Sequence, residues 1–303
     1  MNKDKCAKCS KHIGGQAVIE GMMMRGDNKM ATAVRLPNGK IMVKKENVEK
    51  RKGFWKLPFA RGFIALWDML FVGIRTLLWS ADQQLEKHEK ITTKDIVFTV
   101  GFALTVGIVV FFGIPYFSTG LIGLQETESP ILFNIVDGII KILMFVLYIY
   151  AISFLKDVKR LFEYHGAEHK AVHCFEAGKE LNYENIKQYS TVHPRCGTSF
   201  LLFVFAISIV VFSIIPSAVN FIWSGFDSIA FALQKTALFL IRILCLPIIA
   251  GISYELLKFT GKFENNFFVR IISAPGLWLQ KITTKEPDKK QIEVAVRALK
   301  EAL

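Results

Sequence analysis

The sequence predicts an α-helical polytopic membrane protein: four transmembrane helices, flanking interfacial helices and a small cytosolic β-containing unit. Three observations carry this expectation. Of 303 residues, 52% are hydrophobic and the mean hydropathy is +0.35, on the apolar side of a soluble domain. Four long apolar segments each reach the ~20 residues that a helix needs to cross a bilayer. The 38 Lys and Arg, against 26 Asp and Glu, gather on alternate flanks of those segments.

Residues 1–56 read as a cytosolic segment containing a β-hairpin. Short runs at Ala17–Met24, Met30–Leu36 and Ile41–Lys45 have strand character, and Pro37-Asn38-Gly39-Lys40 between the last two is a hairpin signal. No apolar stretch opens the chain, so no cleavable signal peptide is expected. Cys6 and Cys9 form one CxxC near His12. Structural zinc takes four ligands, so this pair reads as decoration of a basic tail. Five cysteines make no disulfide framework.

Residues 57–95 read as an interfacial amphipathic helix. Arg61, Asp68 and Arg75 recur every seventh residue within Phe59–Trp79 and share one face. Each would cost about 2.5–3.5 kcal/mol at the centre of a free span. Trp55, Trp67 and Trp79 suit headgroup depth.

Residues 96–256 hold the four spans, near Ile96–Phe117, Ile131–Leu155, Ser199–Trp223 and Ile229–Leu256. The loops Ser118–Pro130 and Ser224–Ser228 carry acids and no Lys or Arg, whereas 1–95, the loop 156–198 and the tail are basic. The positive-inside rule then puts both termini and the 156–198 loop in the cytoplasm of a multi-pass cell-membrane protein. Asp137 and Lys141 are spaced to pair along one span. Arg242 has no local partner and could meet Asp137 across the bundle. Residues 257–303 read as a short interfacial piece over Phe267–Ile282, interrupted by Pro275-Gly276, followed by an amphipathic helix within Pro287–Leu303 that docks on the cytosolic unit. Nucleic acid is not an expected partner, because no aromatics interleave the basic stretches.

The chemistry concentrates in the 156–198 loop. His165, His169 and His173 recur every fourth residue, with Glu168 and Glu176 beside them. On a helix over Leu161–Ala177 all five fall within an arc of roughly 140°. His165 and His169 would stand about 6 Å apart along the axis, close enough to grip one ion; His165 and His173, about 12 Å apart, would not. His165-Gly166-Ala167-Glu168-His169 matches the H-x-x-E-H pattern of inverted zinc peptidases, in which two His bind metal and Glu is the general base. His193-Pro194-Arg195-Cys196-Gly197 follows, so either His193 or Cys196 could complete a three-ligand site with an open position. Arg195 offers a planar fork for a phosphate or carboxylate. Glu20, interrupting an apolar strand, needs a partner, which is a metal, an Arg or a backbone amide; as a metal ligand it stands beside Glu176, Glu180 and Glu264.

Gly14-Gly15-Gln16-Ala17-Val18-Ile19-Glu20-Gly21-Met22-Met23-Met24-Arg25-Gly26, Tyr164-His165-Gly166-Ala167-Glu168-His169-Lys170, His193-Pro194-Arg195-Cys196-Gly197-Thr198 and Thr284-Lys285-Glu286-Pro287 together resemble the bacterial YqhQ-type membrane proteins, a family of unknown function. The resemblance covers nearly the whole chain apart from the Cys6/Cys9 tail. It implies a multi-pass membrane protein described as a predicted metal-dependent enzyme, and supplies no substrate, reaction or metal.

The expected function is therefore metal-dependent hydrolysis of a lipid-linked, peptide or phosphoester substrate at the cytoplasmic membrane face. A divalent ion, expected to be zinc, would sit on His165, His169 and either His193 or Cys196. Glu168 would be the base, with His173 and Arg195 orienting substrate. Two alternatives stand beside it: a non-catalytic scaffold clamped by a metal or hydrogen-bond network, and a transporter or metal sensor built around Arg242 and the His helix.

Overall fold

A computed structural model describes residues 13–48, 60–85, 92–126, 128–263 and 266–303; Cys6, Cys9, His12, Trp55 and Glu264 lie outside them. The N-terminal part is an antiparallel meander of β1 (Gly14–Val18), β2 (Gly21–Arg25), β3 (Lys29–Arg35) and β4 (Ile41–Asn47). Gly39, at φ 82, makes the β3–β4 turn, as the Asn-Gly pair predicts. The run Ala17–Met24 is two strands rather than one. It doubles back at Ile19-Glu20, with Val18 opposite Gly21. Glu20 takes a left-handed φ of 51, which costs a non-glycine residue on the order of 1–3 kcal/mol. Its carboxylate offsets that cost by pairing with both Nε and Nη2 of Arg160, and it also accepts the Tyr164 hydroxyl at 3.3 Å.

The sheet packs under two helices from distant parts of the chain, α5 (Lys156–Glu176) and α10 (Lys289–Ala302). The β2–β3 register sets Met22 beside Ala33 and Met24 beside Ala31. Long and short side chains thus alternate under Ala167 and Ala171 of α5 and Ile292, Ala295 and Leu299 of α10, all buried. A capping box between Asp288 and Gln291 starts α10. The tail helix docks on the sheet, as its apolar stripe predicts.

Helix α1 (Ala60–Asp82) packs along α8 (Phe231–Lys262) and touches β1. The seven-residue stripe of charges is satisfied by the protein: Arg61 by Glu255, Asp68 by Arg25 at 3.6 Å, and Arg75 by Glu46 at 2.6 Å. Gly62 lets α1 lie directly against the backbone of Gly251.

Four helical segments among the described residues are long and apolar enough to cross a membrane: Lys94–Leu121, Pro130–Ile152, Gly197–Ile222 and Phe231–Lys262. The chain is a multi-pass membrane protein. The first segment is α2 (Thr93–Ile108), a π-helical turn (Val109–Gly113) and α3 (Ile114–Leu121); the second is α4 (Pro130–Ile152) and the third α7 (Gly197–Ile222). A short α6 (Tyr183–Ile186) lies between α5 and α7. Phe212, Ile215, Leu238 and Ile249 form the apolar core between α7 and α8.

Inside this bundle Arg242 meets Asp137 across the helices at 3.2 Å, and its Nη2 donates to Glu126 at 2.8 Å and Asn134 at 2.6 Å. Asp137 also pairs with Lys141. Glu126, placed by the sequence in an open acidic loop, is instead buried at 2% exposure, because the guanidinium draws it in. Helix α9 (Phe267–Thr283) runs unbroken through Pro275-Gly276, correcting the expected interruption. Proline removes one backbone hydrogen bond. Gly276 compensates by letting α9 lie directly on Ser199 of α7, where a Cβ would collide.

Candidate metal centre

The residues that converge come from α5 and from the segment that leads into α7. Helix α5 keeps a 3.6-residue register through Glu176 and ends where Gly178 takes φ 64. One face therefore presents His165, His169 and His173 in a row. Opposite them the chain runs through Thr191 and His193 to Cys196, which caps α7 by accepting from the Thr198 N–H. That capping geometry aims the sulfur back at α5.

His165, His169 and Cys196 each bring one ligand atom within 4.8 Å of the others. The His165 and His169 ring centroids are 4.4 Å apart. The Nδ1 of His165 lies 2.8 Å from the Thr283 carbonyl, and the Nδ1 of His169 lies 2.5 Å from the Thr191 carbonyl. A carbonyl oxygen only accepts, so each Nδ1 carries a proton, which leaves Nε2 as the nitrogen through which each ring can reach a metal. The His165 Nε2 faces the Cys196 sulfur at 3.2 Å. His169 also bonds that thiol. Burial holds the His169 imidazole below the ordinary histidine range, so it is neutral near pH 7. Two imidazoles fixed by backbone carbonyls and one sulfur form a donor set that suits zinc.

Glycine makes the Thr283 contact feasible. A Cβ on Gly166 would collide with the Lys285 carbonyl, and the Lys285 N–H donates to the Phe162 carbonyl at 2.9 Å. The chain leaving α9 thus lies directly on α5, with its Thr283 carbonyl against His165.

A second group stands one ring further along. His173, Glu176 and His193 also bring ligand atoms within 4.8 Å of one another. The ring centroids run His165, His169, His193, His173 at steps of 4.4, 5.7 and 4.4 Å. The Nε2 of His193 is 3.5 Å from Oε2 of Glu176, whose Oε1 is held by Arg195.

A 247-residue stretch matches a family model: residues 57–303 fit the family described as "Protein of unknown function (DUF1385)". The chain is also 32% identical over 311 residues to "Uncharacterized protein YqhQ" of Bacillus subtilis (strain 168), covering 96% of this chain and 92% of that protein. The chain belongs to the DUF1385 family. No solved structure matches its fold. The DUF1385 match takes in both ligand groups and leaves out the sheet, whereas the alignment with YqhQ spans nearly the whole chain.

Between the two residues the DUF1385 sequence offered as third ligand, Cys196 joins His165 and His169, and His193 joins His173 and Glu176. Glu168 is buried on the same helix. Its carboxylate accepts the Gly15 N–H at 2.8 Å, and burial pushes it above the ordinary carboxylate range, against the opposing pull of His165. Glu20 is not with the ligands: Arg160 and Tyr164 hold it at the β1–β2 turn. Arg195 lies on Glu176 rather than facing open space. Sequence reasoning missed Gln280 altogether. Its amide accepts the His193 N–H at 2.8 Å and donates to the His193 carbonyl at 3.0 Å, clamping that residue from both sides. The one signal was a lone amide within the apolar run from Phe267 to Ile282.

Proposed function

We propose that this protein is a metal-dependent hydrolase of the cytoplasmic membrane face. One divalent ion, zinc by the character of its donors, would be held by His165, His169 and Cys196. The observation that carries the reading is the pair of Nδ1–carbonyl bonds on His165 and His169, which present both Nε2 atoms to the same sulfur. Such outer contacts fix the tautomer and orientation of metal-binding histidines. When bound, the ion supplies Lewis acidity toward a substrate oxygen or water.

The protein's own groups supply the rest. Glu168 takes up the proton, a role suited to a carboxyl whose burial raises its affinity for protons. Gly15 holds it in place through its N–H. Arg195, paired with Glu176, orients an anionic substrate group of a lipid-linked, peptide or phosphoester compound. Both termini and residues 156–198 lie in the cytoplasm, a placement supported by the basic flanks on that side of every span.

Elemental analysis of the full chain purified in detergent, paired with hydrolysis of p-nitrophenyl phosphate and p-nitrophenyl acetate, tests this. His165→Ala and Cys196→Ser are expected to lose one equivalent of metal. Glu168→Gln is expected to keep it and to lower turnover by at least ~100-fold, the scale of one general base. Unchanged turnover in that variant removes the base, and unchanged metal content in His165→Ala removes the site.

One observation favours a second reading, a structural clamp. The same histidines tie α5 to the carbonyls at Thr191 and Thr283. Under that reading Glu168→Gln is silent, and chelation unfolds the cytosolic unit.

A further inference from the structure

His173, Glu176 and His193 stand apart from the three ligands just assigned. We propose that they form a second divalent-cation site, adjoining the first along α5. The site itself stands on its own residues; only its participation in hydrolysis rests on the reading above.

The donors converge from two separate segments. His173 and Glu176 are three apart on α5, one turn of the same face. His193 reaches them from the opposite segment, its ring centroid 4.4 Å from that of His173. The ligand atoms of all three lie within 4.8 Å of one another.

The donors are also held from behind. The Nε2 of His173 donates to the Val192 carbonyl at 2.9 Å, which leaves Nδ1 as the nitrogen with the lone pair. The Tyr189 ring stacks on that imidazole at 6.3 Å and 11°. Gln280 brackets the backbone of His193. The Glu176 carboxylate is divided: Arg195 holds Oε1, and Oε2 turns toward the imidazoles. A carboxylate anchored at one oxygen and open at the other is the usual state of a supported metal ligand. Binding through Nε2 of His193 moves that ring's proton to Nδ1 and gives up the long 3.2 Å contact from the Arg195 N–H, a small loss beside a metal bond.

The two groups differ in chemistry. The first contains sulfur and selects soft ions; the second has two nitrogens and a carboxylate, which suit zinc, manganese or iron. Manganese is therefore expected to enter the second group and to be rejected by the first. The ring row is continuous, His169 to His193 being 5.7 Å.

The test uses the full chain in detergent, stripped with chelator and reloaded with Zn²⁺ or Co²⁺ alone. Two equivalents of zinc per chain are expected. His173→Ala and the isosteric Glu176→Gln should each drop this to one while keeping the near-ultraviolet sulfur-to-cobalt band. Cys196→Ser should lose that band and still retain one ion. A wild-type protein that binds a single ion, unaffected by either His173→Ala or Glu176→Gln, overturns the proposal. One ion lost in Glu176→Gln but kept in Cys196→Ser would sink the first site and leave this one standing.

Discussion

Gly166 decides whether the first site can exist. Its missing side chain lets the Lys285 carbonyl rest on α5, and that contact brings the Thr283 carbonyl to His165. Gly166→Ala must push the two segments apart, at about 1–3 kcal/mol for an overpacked contact. It is expected to lower the unfolding midpoint in detergent and to weaken metal retention, while Gly197→Ala, with open space around it, leaves both unchanged. That His165, His169 and His173 line up was legible in the sequence, because histidines four apart on a polar helix share a face. Their partition was not. Cys196 turns toward His165 only because it caps α7, and the carbonyls of Thr191 and Thr283 leave no trace in a reading of side chains. The partner of Glu20 stayed open between a metal, an Arg and a backbone amide for a related reason. An acid in an apolar strand needs a partner, but the chain reverses there, and the partner is Arg160.

At the level of elements, the spans were legible from hydropathy and length to within a few residues, whereas the β1–β2 hairpin was not. Ile19-Glu20 has none of the glycine or asparagine that announces a two-residue turn. Among the buried charges of the bundle, the Asp137–Lys141 and Arg242–Asp137 pairs were legible, whereas the parts of Glu126 and Asn134 were not. Arg242 neutralises Glu126 and Asp137, with Lys141 completing the balance, and the guanidinium lies 4.6 Å from the Tyr116 ring centre and 4.8 Å from that of Phe212. Removing one member of such a group strands the others without water. Arg242→Met is expected to cost about 3–5 kcal/mol, read as loss of folded protein on heating in micelles. Adding Glu126→Gln to it, which leaves Asp137 paired with Lys141, should recover part of that loss. Recovery would assign the network to stability; none would argue that its charges serve another purpose.

Across the whole molecule, the sheet unit is assembled from three distant pieces: the N-terminal sheet, α5 and the tail helix α10. Ending the chain after Glu286 removes Ile292, Ala295 and Leu299 from the face of β2 and β3, and each of the larger side chains contributes about 1.5–3 kcal/mol by burial. Limited trypsin digestion of that shortened protein is expected to cut at Lys29 and Lys44, sites that stay intact in the full chain. The same assembly restricts how the polypeptide can be threaded. Pieces in direct contact share one side of the bilayer, so any excursion between two of them must return, and its crossings come in pairs. Lys94–Leu121 with Pro130–Ile152 make one such pair between the sheet and α5, and Gly197–Ile222 with Phe231–Lys262 make the other between α5 and α10. Were α1 to traverse as well, the tally before α5 would turn odd, and the sheet would be stranded opposite the very helix on which it rests.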